Sequence, residues 1–303
     1  MPVHFLVDII HFGFVQEEAM RYREILVFLG VAFGVSYTAW ITALLLPEGR
    51  STYLYAGLSF FAMLGPLLGT LTVKQLGWKA VQPVGPLPRP GRIWAALQGV
   101  GVLYLMLWLT QFGLQTILAR WQGAASISLT GETLTRFFIR TLFMPLFWLF
   151  SVFLEESGWR YFLYPEAKKW GPWAATWGVG LIWAVWHVPA AFVLGKANAG
   201  WMILNYFIYV PILHQFFAYY YDRTQSLWTS VILHAIFNGF GTAYYYTSGV
   251  MTRPDQLVIG DMRVTLWVNA GVLILLLPFS WLLFQRIQKE RSATQAVTIP
   301  AGR

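Results

Sequence analysis

Cysteine is absent from all 303 residues, which removes disulfides, thiolate metal ligands and a cysteine nucleophile together. Charge is scarce as well: 11% of residues are Asp, Glu, Lys or Arg, against roughly 25% in an ordinary soluble domain. No long polar linker interrupts the apolar runs, and 57% of the residues are hydrophobic. Such a chain reads as one integral membrane domain. Further absences narrow the chemistry. No His-Glu-x-x-His sequence occurs, so the zinc-metalloprotease helix is missing. The four aspartates, Asp8, Asp222, Asp255 and Asp261, fall outside the expected spans, which speaks against an aspartyl dyad within a bilayer. No Gly-x-Ser-x-Gly elbow surrounds any serine. Ser230, four residues before His234, keeps a Ser-His dyad formally open.

What is present is a series of apolar runs. A helical span needs ~20 mostly apolar residues, and eight are read: Ile25–Leu46, Tyr53–Val73, Ile93–Leu118, Phe137–Leu154, Gly171–Leu194, Gly200–Tyr220, Leu227–Ser248 and Val264–Phe284. The fold class expected is all-α, a polytopic transmembrane helical bundle. Residues 1–24, with Asp8, Glu17, Glu18, Arg21, Arg23 and Glu24, read as an amphipathic approach to the membrane without a cleavable signal pattern. Residues 25–286 form the membrane domain, and 287–303 a basic, disordered cytoplasmic tail. Fourteen Lys and Arg fall on the side of the two termini and six on the other, so both termini are expected in the cytoplasm. The net charge of +8 then reflects membrane topology, and nothing points to nucleic acid. Trp78, Trp121, Trp170, Trp173 and Trp201 near span ends fit an interfacial aromatic belt.

Against this apolar background a few polar residues stand out, because charge at bilayer depth costs ~2.5–3.5 kcal/mol per residue even on the lenient insertion scale. Glu155 and Glu156 close the run Phe137–Leu154, with Arg160 following. On a continuing helix Glu156 and Arg160 are four apart and share a face in the better orientation for an ion pair. Glu155 is rotated by about 100° from Glu156 and can face a cavity. One carboxylate is thus suited to structure and the other to general-base work. His187 has Trp183 one turn before it, and Pro189 cannot donate to the carbonyl of Val185, which frees a polar backbone atom that a water could use. His234 and Asn238 are also one turn apart. An imidazole can shuttle a proton or bind metal, and an Asn amide can donate to an oxyanion. Each pair read alone also fits interhelical hydrogen bonding. His214 has no such partner and reads as structural.

Taken together, Glu155-Glu156-x-x-x-Arg160, then Trp183-x-x-x-His187, then His234-x-x-x-Asn238 resemble the three motifs of the CAAX prenyl protease and bacteriocin-processing family of membrane proteins. The resemblance spans about residues 137–240. The family's second motif usually begins with Phe, and Trp183 in its place is expected to bear on packing rather than chemistry. The resemblance implies an intramembrane endopeptidase acting on a membrane-associated protein or peptide. In it Glu155, assisted by His187, would activate water, and His234 with Asn238 would stabilise the oxyanion. Glu156, Arg160 and Trp183 would support the site or receive substrate. No metal is expected, and the alternative is zinc held by Glu155, His187 and His234. A noncatalytic immunity or regulatory protein of the same fold, or a proton-coupled transporter, are the other readings. One tension is geometric. His234 lies ~10 Å along its span and His187 ~24 Å along its own, at 1.5 Å per residue, so Gly171–Gly178 is expected to lie partly in the membrane interface.

Overall fold

The computed structural model describes residues 3–46, 52–78, 87–123, 126–195, 198–249 and 262–298, and these are almost wholly helical. The helices are α1 (Val3–Leu45), α2 (Thr52–Ala62), α3 (Leu64–Gln75), α4 (Ile93–Leu107), α5 (Gln115–Trp121), α6 (Gly131–Gly158), α7 (Tyr164–Trp170), α8 (Val179–Trp186), α9 (Val188–Gly195), α10 (Ala199–Thr224), α11 (Leu227–Thr247) and α12 (Met262–Thr298). Wider π turns join α4 to α5 at Trp108–Leu114, join α6 to α7 at Trp159–Leu163, and open α8 at Ala174–Gly178. α1 is helical from Val3, and the side chains before Tyr22, on which the amphipathic reading depends, lie outside the described ones. α12 runs to Thr298, so 287–298 is helix where disorder was expected; Ile287 is fully buried.

Among the described residues seven helices are long and apolar enough to cross a membrane, which makes this an integral multi-pass membrane protein. The expected span Leu227–Ser248 is different. It forms the 21-residue α11, long enough to cross but not counted among the seven. α11 packs against α6, α10 and α4, so most of its polar side chains meet protein rather than lipid tails. Among the described residues, side-chain contacts mark two ends of the bundle. Tyr22 stacks on Trp170, the Trp78 indole donates to Glu166, and Lys168 pairs with both Asp222 and Glu290, gathering one end of the bundle. Thr116 with Tyr244, and Arg140 with Thr247, mark the opposite end. α11 runs from the first end to the second. Asp222 proves to lie in the last turn of a span, buried, where Tyr164 and Lys168 both donate to it.

Prolines explain how these helices are held. A proline inside a helix strands the carbonyl four residues back, and in lipid that oxygen needs a donor from elsewhere. Three such oxygens receive hydroxyl groups from neighbouring helices. Ser36 donates to Ala62 behind Pro66, Tyr104 to Thr141 behind Pro145, and Tyr37 to Val185 behind Pro189, at 2.6, 2.9 and 2.8 Å. The freed Val185 carbonyl, which could have taken a water, is therefore used to tie α8 to α1. Glycine permits the closest approaches. A Cβ on Gly158 would collide with Pro66, and one on Gly239 with Pro145. The first contact seats α3 beside the end of α6, where Thr70 donates to the Ser157 carbonyl at 2.8 Å. The backbone immediately after the paired acids is thereby fixed.

Candidate active site

The ends of α6 and α8 and the first turns of α11 meet around one indole. Trp183 is buried, and its Nε1–H donates to Glu155 Oε2 at 3.2 Å. The same ring lies 5.2 Å from the His234 ring and 5.6 Å from the His187 ring, and the Arg160 guanidinium sits 4.2 Å above it. The depth conflict between the histidines is resolved here. Trp183, nine residues past Ala174 and so ~14 Å along its helix, has its ring against that of His234, while His187 lies one turn further along the same helix with its ring also near the indole. Gly171–Trp173 fall outside the span that begins at Ala174.

Glu156 and Arg160 form the expected pair, 2.9 Å apart with both side chains fully buried. A second bond was not anticipated: Glu156 Oε1 also meets His234 Nδ1 at 2.8 Å. A carboxylate oxygen accepts, so Nδ1 carries the hydrogen and Nε2 faces away from the carboxylate. Phe217 completes the enclosure, stacked on His234 and beneath Arg160. Ser230 is not a partner of His234. Its hydroxyl points to the Phe217 carbonyl at 3.4 Å, which removes the Ser-His dyad.

The break at Pro189 shapes His187. Its backbone N–H bonds to Ala184, three residues back, leaving the Trp183 carbonyl to accept from His187 Nδ1 at 2.8 Å. That carbonyl fixes the hydrogen on Nδ1, so the neutral imidazole offers a lone pair at Nε2. Trp186 and Tyr206 flank the ring at 4.9 and 4.8 Å. Asn238 is half-buried one turn beyond His234, and no hydrogen bond engages its side-chain amide among the described residues. Its position alone joins it to the group. His214 is structural as expected, with Nε2 against the Ala175 carbonyl at 2.9 Å.

The indole at 183 therefore does more than pack, because phenylalanine has no N–H to give Glu155. Trp183→Phe is expected to keep most ring contacts while lowering turnover about tenfold, the scale of one hydrogen bond to a charged group. Turnover and thermal melting in detergent, measured on the same preparation, check this. An unchanged rate would return Trp183 to a packing role.

Among the described residues no three His, Cys, Asp or Glu side chains gather so as to hold a metal ion. Each histidine has its Nδ1 engaged, His187 by the Trp183 carbonyl and His234 by Glu156, which leaves Nε2 of each as its second ring nitrogen.

Two carboxylates and two oriented histidines at the end of a membrane span invite comparison with known proteins. Residues 136–240 match the family model described as Type II CAAX prenyl endopeptidase Rce1-like. The match takes in every motif residue from Glu155 to Asn238 and agrees with the resemblance carried by the motifs. It covers less than half of the chain. A comparison with curated proteins found no match. The Rce1-like region thus coincides with the helices that build the Trp183-centred cluster, while α1 and α3 outside it hold α6 and α8 in place.

Proposed function

We propose that the protein is an intramembrane endopeptidase that hydrolyses a peptide bond in a membrane-associated protein or peptide. The observation that carries this reading is the asymmetry of the adjacent acids: Glu156 is bound to Arg160 and His234, whereas Glu155 has one indole donor and oxygen capacity to spare. Glu155 takes a proton from a water that also donates to His187 Nε2. The water oxygen attacks the scissile carbonyl carbon. His234, its ring held by Glu156, and the Asn238 amide stabilise the resulting oxyanion. The carbon–nitrogen bond then breaks, and Glu155 returns its proton to the leaving amine. A new carboxyl terminus and a new amino terminus result.

The test is a comparison of membrane-protein termini in cells with active protein and in cells lacking it. New termini that depend on the protein support the reading, and identical terminal profiles count against it. Treatment of the purified protein with a chelator is expected to leave cleavage unchanged. Loss of activity on chelation, with recovery on adding zinc, would overturn the metal-free mechanism.

The end of the bundle that carries Lys74, Lys168, Lys169, Arg286 and Arg291 is assigned to the cytoplasm on the charge bias, with both termini and the opening of the site on that side. Reporter fusions at residue 303 and within 250–261 should score on opposite sides of the membrane. The same side for both would contradict eight passages.

A further inference from the structure

Tyr206, two turns into α10, is unlike the other tyrosines described above. Tyr37, Tyr104 and Tyr164 each spend their hydroxyl on a neighbouring helix. Tyr206 is 9% exposed, and no hydrogen bond engages its hydroxyl among the described residues. The ring is buried, but the hydroxyl is not among the fully enclosed polar atoms that lack a partner, so it opens on space that another group can enter. Its ring lies over His187, 4.8 Å between centroids and tilted by 35°. It is also within range of the Glu155 charge.

The neighbouring residue explains why the phenol faces this way. Asn205 Oδ1 accepts from Asn269 Nδ2 at 2.7 Å, a buried amide pair between α10 and α12. Consecutive helical residues point about 100° apart. With Asn205 committed to α12, Tyr206 is turned towards α8 and His187. An interhelical amide pair thus sets the rotation of a helix that carries no motif residue.

Resting on the peptidase reading, we infer that Tyr206 is a further catalytic residue whose phenol hydroxyl donates a hydrogen bond to the scissile peptide group, on the His187 side of the site. It would act beside His187, as a donor additional to His234 and Asn238. The phenol remains protonated throughout and donates without transferring its proton.

The experiment compares Tyr206→Phe and Tyr206→Leu with the unaltered protein and Glu155→Gln, on one cleaved membrane peptide in detergent. Tyr206→Phe keeps the ring on His187 and removes only the donor. It is expected to lower kcat about 10²-fold, as loss of one transition-state donor does, with KM and thermal melting nearly unchanged. Tyr206→Leu should lower kcat at least as much and also disturb packing. Fluorinated tyrosine at 206, a stronger donor, should retain the unaltered rate or exceed it. A Phe variant with full kcat beside a crippled Leu variant would show that only the ring matters and would overturn the inference. Should the unaltered protein cleave and Glu155→Gln fail while Tyr206→Phe stays fully active, this inference falls and the peptidase reading stands. If the unaltered protein cleaves nothing, both fall.

Discussion

Arg160→Ala is expected to destabilise the protein by about 3–5 kcal/mol, because it leaves the carboxylate of Glu156 buried without its cation. Both members of the pair are fully enclosed, and among the described residues a second oxygen of Glu156 and two further nitrogens of Arg160 have no hydrogen-bond partner. The pair is held in a costly environment, so breaking it exposes the full desolvation penalty. Glu156→Gln should produce a similar loss, and the two changes combined should cost less than their sum. Replacing both by leucine goes further. A buried ion pair exchanged for apolar side chains can regain stability, so the double leucine variant should melt above Arg160→Ala. It should still not cleave substrate, since His234 loses the carboxylate on Nδ1. Thermal melting and turnover on the four variants check the argument. Equal melting of all four would show that the pair is not the strut proposed for it.

Much of this site was legible in the sequence because polar residues are conspicuous in apolar runs. Glu156 and Arg160 were placed together by helical spacing alone. Pro189 announced a freed carbonyl at Val185, although not that Tyr37, 148 residues away, would take it. The second bond of Glu156, to His234, depends on how α6 and α11 cross, and spacing within one helix cannot reveal that. The bond from Trp183 to Glu155 is hidden for the opposite reason: a ring that suits an apolar face gives no sign that its N–H has a partner. Asn205 and Asn269 are polar residues within spans and carried the same signal as His234, yet neither belongs to a motif. α11 also shows why apolarity identifies spans imperfectly. A helix walled by others can carry Ser, His, Asn and Tyr because it scarcely meets lipid.

Glu155→Gln should remove activity while preserving the fold. Glutamine has the shape of glutamate and can still accept from the Trp183 indole, but it cannot take a proton from water at the required step. The expected fall in turnover is ~10²–10⁴-fold, the contribution of a positioned general base. Stability should change little, since Glu155 holds no ion pair among the described residues. This separates the adjacent acids: one substitution affects chemistry, the other the scaffold. The decisive measurement is the single-turnover cleavage rate of a membrane peptide in liposomes, for the unaltered protein and for Glu155→Gln at equal melting temperature. The account predicts prompt cleavage by the first and a rate at least ~10²-fold lower for the second. Equal rates from two equally stable proteins would contradict it.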